Sequence, residues 1–262
     1  MVGPSTRGPI LAITVRFYAG LNGKTYTNGM SCSLERFKLI ASEELNSKID
    51  DISLRYEFIH INDQKSELSW TELISKAMLK RVALTENAHY ATPEIHFDKT
   101  KEKGHPFAYH VYGTAIITTT VDCTRGTYEF DSVKMVHDYG KSMSEGIDLG
   151  QVEGALIQGI GWMTMEEIAY NEDGKLLSNA LSTYKIPDLF SVPKIVETIP
   201  LETEGHEHAI LKSKAVGEPP LMYGIGAYFA LQNAIKAFNP NYNLKFHAPM
   251  TPEKVLMSLY QK

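Results

Sequence analysis

The stretch that most constrains the fold is 213–220, Ser-Lys-Ala-Val-Gly-Glu-Pro-Pro, which leads directly into an apolar run at 221–237. Proline suits the first helical position, and the residue before a proline prefers extended backbone, so we expect Glu218 at a strand-to-helix corner. Gly217 has no side chain and leaves room for another group to come close. The stretch therefore predicts a carboxylate that is fixed on stiff backbone ahead of an apolar helix.

Two interpretations of Glu218 are open. A carboxylate fixed in position can serve as a general acid or base, because proton transfer requires a group within hydrogen-bond reach. A carboxylate at a helix start can also simply complement the positive end of the helix dipole. Burial would raise the pKa of Glu218 and the helix end would lower it, so the residues alone leave its protonation state open.

Composition narrows the class of protein. The 262 residues allow one large domain or two ordinary ones, and the net charge of −5 is spread without a long basic patch, so nucleic acid is not an expected partner. We see no membrane-length apolar stretch and no secretory signal, which predicts a cytoplasmic protein. Cys32 and Cys123 stand alone and the histidines are dispersed, so no metal-ligand set is expected.

The first hundred residues predict a mixture of strands and helices. Within 1–26, residues 10–18 are β-prone and Asn22-Gly23 is turn-like, which favours a hairpin. Residues 30–45 have the apolar spacing of an amphipathic helix. Residues 52–61 predict a strand. Ser69 followed by Glu72 predicts a capping box at the start of a second helix.

A charged, glycine-containing stretch at 98–105 is the best candidate for a boundary. It predicts an N-terminal segment at 1–103 and a C-terminal domain at 104–262. In the latter, 109–122 and 128–136 are rich in Thr, Val, Ile and Tyr and are joined by turn residues, so they should pair as an antiparallel hairpin.

A glycine-diluted helix is predicted from Asp148 onward, and one of its faces carries Gln151, Ala155, Gln158 and Trp162. Each interior glycine costs a helix about 1 kcal/mol relative to alanine, so several together require a close approach by another element or by a ligand. Two alternatives to a ligand surface stay open: tight packing of the glycines against a sheet, and a capping box in which Gln151 turns back to an N-cap at Asp148.

Several ordered motifs together carry a family resemblance. They are Gly-His-Pro-Phe at 104–107, Gly-Gln-Val-Glu-Gly-Ala at 150–155, Gln-Gly-Ile-Gly at 158–161, Glu-Glu at 166–167, Ser-Thr-Tyr-Lys-Ile-Pro at 182–187, the 213–220 stretch, and Pro-Met-Thr-Pro-Glu-Lys-Val at 249–255. In this order and spacing, the chain resembles the C-terminal part of the molybdenum-binding subunit of the xanthine dehydrogenase and aldehyde oxidase family.

The resemblance implies an α+β molybdopterin-binding fold with mixed sheets and packed helices, in which a molybdenum-molybdopterin cofactor is shared with a missing N-terminal half. It implies that Gln151 and Gly217 contact the cofactor and that Glu218 is the general base in hydroxylation of a purine or aldehyde. It also implies partner modules with iron-sulfur clusters and FAD, since two cysteines cannot hold such clusters. A homo-oligomer is compatible with this arrangement.

The chain also departs from the family pattern. The family's Ala-Ala-Ser run is absent, and residues 13–18 stand where it would lie, while Leu21-Asn22-Gly23 or Thr27-Asn28-Gly29 with Cys32 resembles the landmark that follows it. Two functions are therefore expected as alternatives. One is an incomplete molybdopterin-dependent oxidoreductase that acts with partners, and the other is a truncated, non-catalytic remnant with a role in stability or subunit association.

Overall fold

Two compact units divide the chain, a smaller unit at Leu21–Thr92 and a larger unit that includes the residues from Pro93 onward. The computed structural model describes residues 11–243 and 245–261, with side chains from residue 23 onward. Both units mix helices with strands, so the α+β class is confirmed. None of the helices in these ranges is long and apolar enough to cross a membrane.

The smaller unit packs helices onto a three-stranded antiparallel sheet. It contains most of α1 (Leu11–Leu45), then β1 (Ile52–Arg55), β2 (Phe58–Ile61), β3 (Gln64–Ser69) and α2 (Trp70–Leu79). The predicted capping box is confirmed, because the Ser69 hydroxyl accepts from the Glu72 N–H and the Glu72 carboxylate accepts from the Ser69 N–H. A buried core joins the elements: Phe37, Ile40, Ala41, Ile52, Ile59, Leu68, Leu73 and Ala77.

Two predictions for this unit are wrong. Of the hairpin expected at 1–26, residues 1–10 lie outside the described residues, while 11–26 belong to α1, which continues the helix that buries Phe37 and Ile40. The strand expected at 52–61 is a hairpin, since Tyr56 and Glu57 both have left-handed backbone at φ 49° and 65°. Tight hairpin turns usually place glycine or asparagine there, so this turn carries no sequence signal.

The larger unit is built on a three-stranded sheet in the order β6–β7–β8. The predicted hairpin is confirmed, with β6 (Gly113–Val121) antiparallel to β7 (Tyr128–His137). The chain then forms α3 (Glu145–Thr164) and returns as β8 (Ile195–Pro200), which runs parallel to β7. A helix in the crossover between parallel strands is the usual way to make this connection.

Two further helices complete the unit, α4 (Ile225–Phe238) and α5 (Pro252–Leu259). Inward-facing residues of the sheet, such as Val133 and Met135, pack with Leu156 of α3 and Leu231 of α4 in one apolar core. Before this sheet, β4 (His96–Asp98) and β5 (Lys103–His105) pair as a short hairpin within the stretch expected to be a boundary. The compact units divide between Thr92 and Pro93, and the boundary near residue 103 stays a prediction.

Candidate cofactor-binding site

The segment that leads to Glu218 is fixed to the end of β7 by backbone hydrogen bonds. The N–H of Lys214 donates to the carbonyl of Tyr139 at 2.7 Å, and the N–H of Lys141 donates to the carbonyl of Lys212 at 2.9 Å. Gly140 and Ser213 pair as an antiparallel bridge between these two hydrogen bonds. The segment therefore has the strand-like start that the sequence predicts.

A buried ion pair anchors the same segment. Lys214 Nζ lies 2.6 Å from Asp138 Oδ2, with side chains 9% and 0% exposed. Asp138 also accepts from the Thr203 hydroxyl and from the N–H of Gly140. Burial alone would raise the pKa of Asp138, but these donors and the Lys214 charge outweigh burial and hold that pKa below its ordinary value. The carboxylate is therefore charged and fully bonded.

Glu218 stands at the corner itself, between buried Val216 and buried Pro220. Its backbone is helical, at φ −91° and ψ −53°, so the extended geometry expected before a proline is wrong. The reason is that Pro219 begins a 3₁₀ helix, Pro219–Gly224, which tightens the first turn ahead of α4. Proline at the first helical position is confirmed.

The Glu218 carboxylate extends outward from this corner. Its side chain is exposed and makes no capping hydrogen bond to the helix that follows. Partial loss of water around the carboxyl raises the pKa of Glu218 above its ordinary value. A partner for the helix dipole would instead bond the free N–H groups and have a lowered pKa, so these features favour the acid or base interpretation.

The helix that carries Gln151 begins one turn earlier than expected. Ser144 is its N-cap and Glu145 lies in its first turn, where negative charge is favoured. Asp148 is buried inside the helix and accepts from the Ser142 hydroxyl at 2.6 Å, so the capping box between Asp148 and Gln151 is wrong. Gln151 is exposed on the second turn.

The glycines of α3 fall into two groups. A Cβ at Gly159 would overlap the carbonyl oxygen of Leu221 and lie 3.0 Å from Cα of Gly224, and a Cβ at Gly161 would overlap the ring of Pro187. These two glycines allow close packing, against a 3₁₀ helix and a loop rather than the expected sheet. A Cβ at Gly146, Gly150 or Gly154 would meet nothing within 4 Å.

Two of the open glycines, Gly150 and Gly154, line a groove of about 790 Å³. The structure brings Gln151 and Gly217, both predicted site residues, into its lining, while Glu218 follows Gly217 and is not itself a lining residue. Sequence reasoning did not assign Glu166 or Leu221 to a site, although Glu166 lies in the Glu-Glu motif at 166–167 and Leu221 directly follows the 213–220 stretch. The full lining is Gly150, Gln151, Gly154, Ala155, Ile157, Gln158, Trp162, Glu166, Ile186, Pro187, Gly217 and Leu221.

The groove offers the contacts that a flat, heteroatom-rich ring requires. Gln151 and Gln158 provide amide donors and acceptors, and Gly150, Gly154 and Gly217 leave the backbone accessible. Trp162, 48% exposed, adds an aromatic face. The four residues from Gln151 to Trp162 that share one helix face span about 16 Å at 1.5 Å per residue. The lining therefore fits a pterin-sized ligand.

A family model matches most of the chain. Residues 18–193 match the model of the molybdopterin cofactor-binding domain. The chain belongs to this family. The matched range includes α3 and Gln151 but ends before Gly217 and Glu218.

Two relatives and one solved structure are similar to this chain. The chain is 38% identical to xanthine dehydrogenase/oxidase of Felis catus over 194 residues, 71% of this chain and 15% of that protein. It is 33% identical to xanthine dehydrogenase of Drosophila subobscura over 229 residues, 86% of this chain and 16% of that protein. The fold is similar to quinoline 2-oxidoreductase of Pseudomonas putida 86, with a TM-score of 0.69, 20% identity, and coverage of 94% of this chain and 30% of that one.

Proposed function

We propose that this chain is the C-terminal part of the molybdenum site of a xanthine dehydrogenase-like hydroxylase. It spans about 15% to 16% of the length of the two relatives above, so the activity of a whole enzyme would require further polypeptide. In this proposal the chain provides one wall of the cofactor site and the general base. The substrate class would be a purine or an aldehyde.

The observation that carries the proposal is the open half of α3. Gly150 and Gly154 reduce helix stability and are covered by none of the described residues, yet they line the same groove as Gln151 and Gly217. A ligand that contacts the bare backbone would account for both glycines. Gln151 and Gly217 would then be the hydrogen-bonding and close-approach residues for molybdopterin.

Glu218 would act as the proton acceptor at one edge of this site. Its segment is fixed by the Asp138–Lys214 pair and by the buried side chain of Val216, so its carboxylate starts from a defined position. Its raised pKa brings it closer to neutral pH, which makes a carboxylate a more effective base. Molybdenum-molybdopterin would supply the two-electron redox chemistry, while this chain's residues would bind, orient and accept the proton.

Electrons would leave through partner modules. Cys32 is exposed and Cys123 is half-buried, and two separate thiols cannot hold an iron-sulfur cluster, so iron-sulfur and FAD modules belong to the rest of the assembly in this proposal. The N-terminal half of the molybdenum subunit would cover the other side of the cofactor. We also propose a cytoplasmic location, where purine and aldehyde substrates are accessible.

The test is an anaerobic titration of the purified chain with metal-free molybdopterin, followed through Trp162 fluorescence. The chain's other tryptophan, Trp70, lies in the smaller unit, away from the residues that line the groove. A Trp162→Phe variant therefore measures the background fluorescence of Trp70. We expect saturable binding that Gln151→Ala weakens about fivefold to tenfold, the effect of one lost hydrogen bond. Gln64→Ala, which removes an exposed amide from β3, is the control and should bind like the wild type.

Two results would contradict the proposal. Equal affinities of Gln151→Ala and the wild type would remove Gln151 from the site. Absence of any saturable binding by the wild type would favour the alternative, a non-catalytic chain that retains the fold for stability or subunit association.

A further inference from the structure

The loop between α3 and β8 contributes the part of the groove wall that the helices do not. Within it, Ile186 and Pro187 line the groove beside Gln158 and Trp162. Ile186 also lines a second cavity of about 620 Å³, together with Tyr128, Phe130 and Phe190. Residues 184–187, which we call the strip, therefore separate two cavities. The position of the strip sets the width of the proposed cofactor groove.

Little regular structure holds this strip in place. Between the end of α3 and the start of β8, the described residues include a single bridge, between Tyr170 and Leu176, and one short 3₁₀ turn, Leu189–Ser191. The exposed side chains of Leu189 and Phe190 contribute little to a core. The strip must therefore be positioned by individual contacts.

Two such contacts lie on either side of Ile186. The Tyr184 hydroxyl donates to Glu166 Oε2 at 2.5 Å, across the base of the loop. Pro187 packs so closely on Gly161 that no Cβ would fit between them. Glu166 follows the end of α3 and itself lines the groove, so the hydrogen bond joins the strip directly to the groove's wall.

The Tyr184 hydroxyl is held as a hydrogen-bond donor. The bond to Glu166 and, to a lesser degree, burial raise the pKa of Tyr184 to about 12, so the phenol keeps its proton and remains a donor. A donor to a charged carboxylate gives one of the stronger kinds of hydrogen bond in proteins.

We propose that Tyr184 is a positioning residue for the cofactor groove: its hydrogen bond to Glu166, together with the Pro187–Gly161 contact, holds Ile186 and Pro187 as the wall that a bound pterin contacts. This inference rests on the proposed function for its ligand. Tyr184 would thus set the shape of the cofactor site without contacting the cofactor.

The test compares Tyr184→Phe with Tyr170→Phe. Both variants remove one hydroxyl from the same loop, but the Tyr170 side chain is exposed and its hydroxyl bonds to none of the described residues. Trypsin reports on the strip, because exposed Lys185 lies inside it, while exposed Lys175 provides an internal reference elsewhere in the loop. Molybdopterin affinity and the melting temperature are measured on the same preparations.

We expect Tyr184→Phe to raise cleavage after Lys185, relative to Lys175, about tenfold or more, the effect of losing a hydrogen bond to a charged group. Molybdopterin affinity should fall by a similar factor while the melting temperature changes little, because the loop lies outside the buried core. Gly161→Ala, which displaces Pro187 and also crowds the Glu166 carboxylate, should reproduce the loss of affinity and lower the melting temperature as well. Tyr170→Phe should match the wild type in all three measurements.

Other results would overturn the inference. An unchanged cleavage ratio would show that Tyr184 does not hold the strip. A raised ratio with unchanged affinity would show that the strip does not position the ligand. If the wild type bound no molybdopterin, the proposed function would fall instead, and the cleavage ratio would still decide whether Tyr184 holds the strip.

Discussion

Along α3, Gly159 and Gly161 are covered by neighbouring atoms, whereas Gly150 and Gly154 are not. All four weaken an isolated helix by about 1 kcal/mol each relative to alanine. Close packing against Leu221, Gly224 and Pro187 compensates the first two. None of the described residues packs against the other two, and both line the groove that we propose for the cofactor.

The same contrast separates two sets of residues in the larger unit. The packed set comprises Asp138, Gly159, Gly161, Lys214 and Gly224, and the open set comprises Gly150, Gln151, Gly154 and Glu218. The packed set is buried or covered, and substitutions there should act on stability. The open set contacts little within the chain, so substitutions there should act on ligand binding or turnover.

The largest expected effect is in the packed set, at the buried ion pair. Lys214→Met leaves the Asp138 carboxylate buried without its cation and should lower the free energy of unfolding by about 3 to 5 kcal/mol. The control is Lys212→Met, which removes the lysine of an exposed ion pair with Glu204 and should leave the free energy of unfolding nearly unchanged. Urea unfolding measures both, and equal losses would contradict the importance of burial.

The pH dependence of this pair follows from the lowered pKa of Asp138. The stability that the ionised carboxylate contributes is present above the ordinary pKa of an aspartate and is lost as pH falls through the lower folded-state pKa. Lys214→Met should therefore show a weaker loss of stability on acidification than the wild type does.

The next effect concerns the backbone contact between α3 and the 3₁₀ helix. A methyl group at Gly159 would overlap the Leu221 carbonyl, and neither backbone can move without disturbing the core. Gly159→Ala should therefore lower the free energy of unfolding by about 3 kcal/mol, at the upper end for overpacking. A neutral or stabilising Gly159→Ala would show that the two helices can separate at little cost.

In the open set, the Glu218→Gln variant should change the reaction rate much more than the stability of the fold. Because the folded state raises the pKa of Glu218, the ionised carboxylate disfavours folding above that pKa and has no such effect at low pH. The variant should thus be as stable as the wild type or slightly more stable at pH 7, with the difference vanishing below pH of about 4. In an assembly with its partner modules it should lose about 10²-fold in the reductive half-reaction at unchanged molybdenum content.

If Glu218 only complements the charge at the start of the helix, the variant should affect stability and not turnover. Glu218→Gln would then cost up to about 1 kcal/mol of stability at pH 7 and leave turnover intact. Thermal melts across pH and single-turnover rates on one preparation distinguish the two roles.

Local signals in the sequence predicted the elements that local physics determines. Ser69 and Glu72 lie three residues apart, and the β6–β7 hairpin is joined by a short turn, so each signal is contained in a few neighbouring residues. The motif at 213–220 likewise placed Glu218 at the start of a helix. The prediction of extended backbone at Glu218 was wrong, because the 3₁₀ helix that follows overrides the preference of a residue before proline.

The missed features depend on residues far apart in the chain. Asp138 and Lys214 are 76 positions apart, and no pattern near either residue indicates the other. Glu166 and Tyr184 are 18 positions apart across an irregular loop. The glycines of α3 were visible in the sequence, but only the structure distinguishes those that are packed from those that are open.

The most direct measurement of the central claim compares two glycines of α3 that both have open space around a Cβ, of which only Gly154 lines the groove. Gly154→Ala and Gly146→Ala should each leave stability unchanged or raise it by up to about 1 kcal/mol. If the groove holds the cofactor, molybdopterin affinity should fall about tenfold or more for Gly154→Ala, as expected for a methyl group that obstructs a close contact, and stay at the wild-type value for Gly146→Ala. Equal affinities in the two variants would contradict the assignment of this groove as the cofactor site.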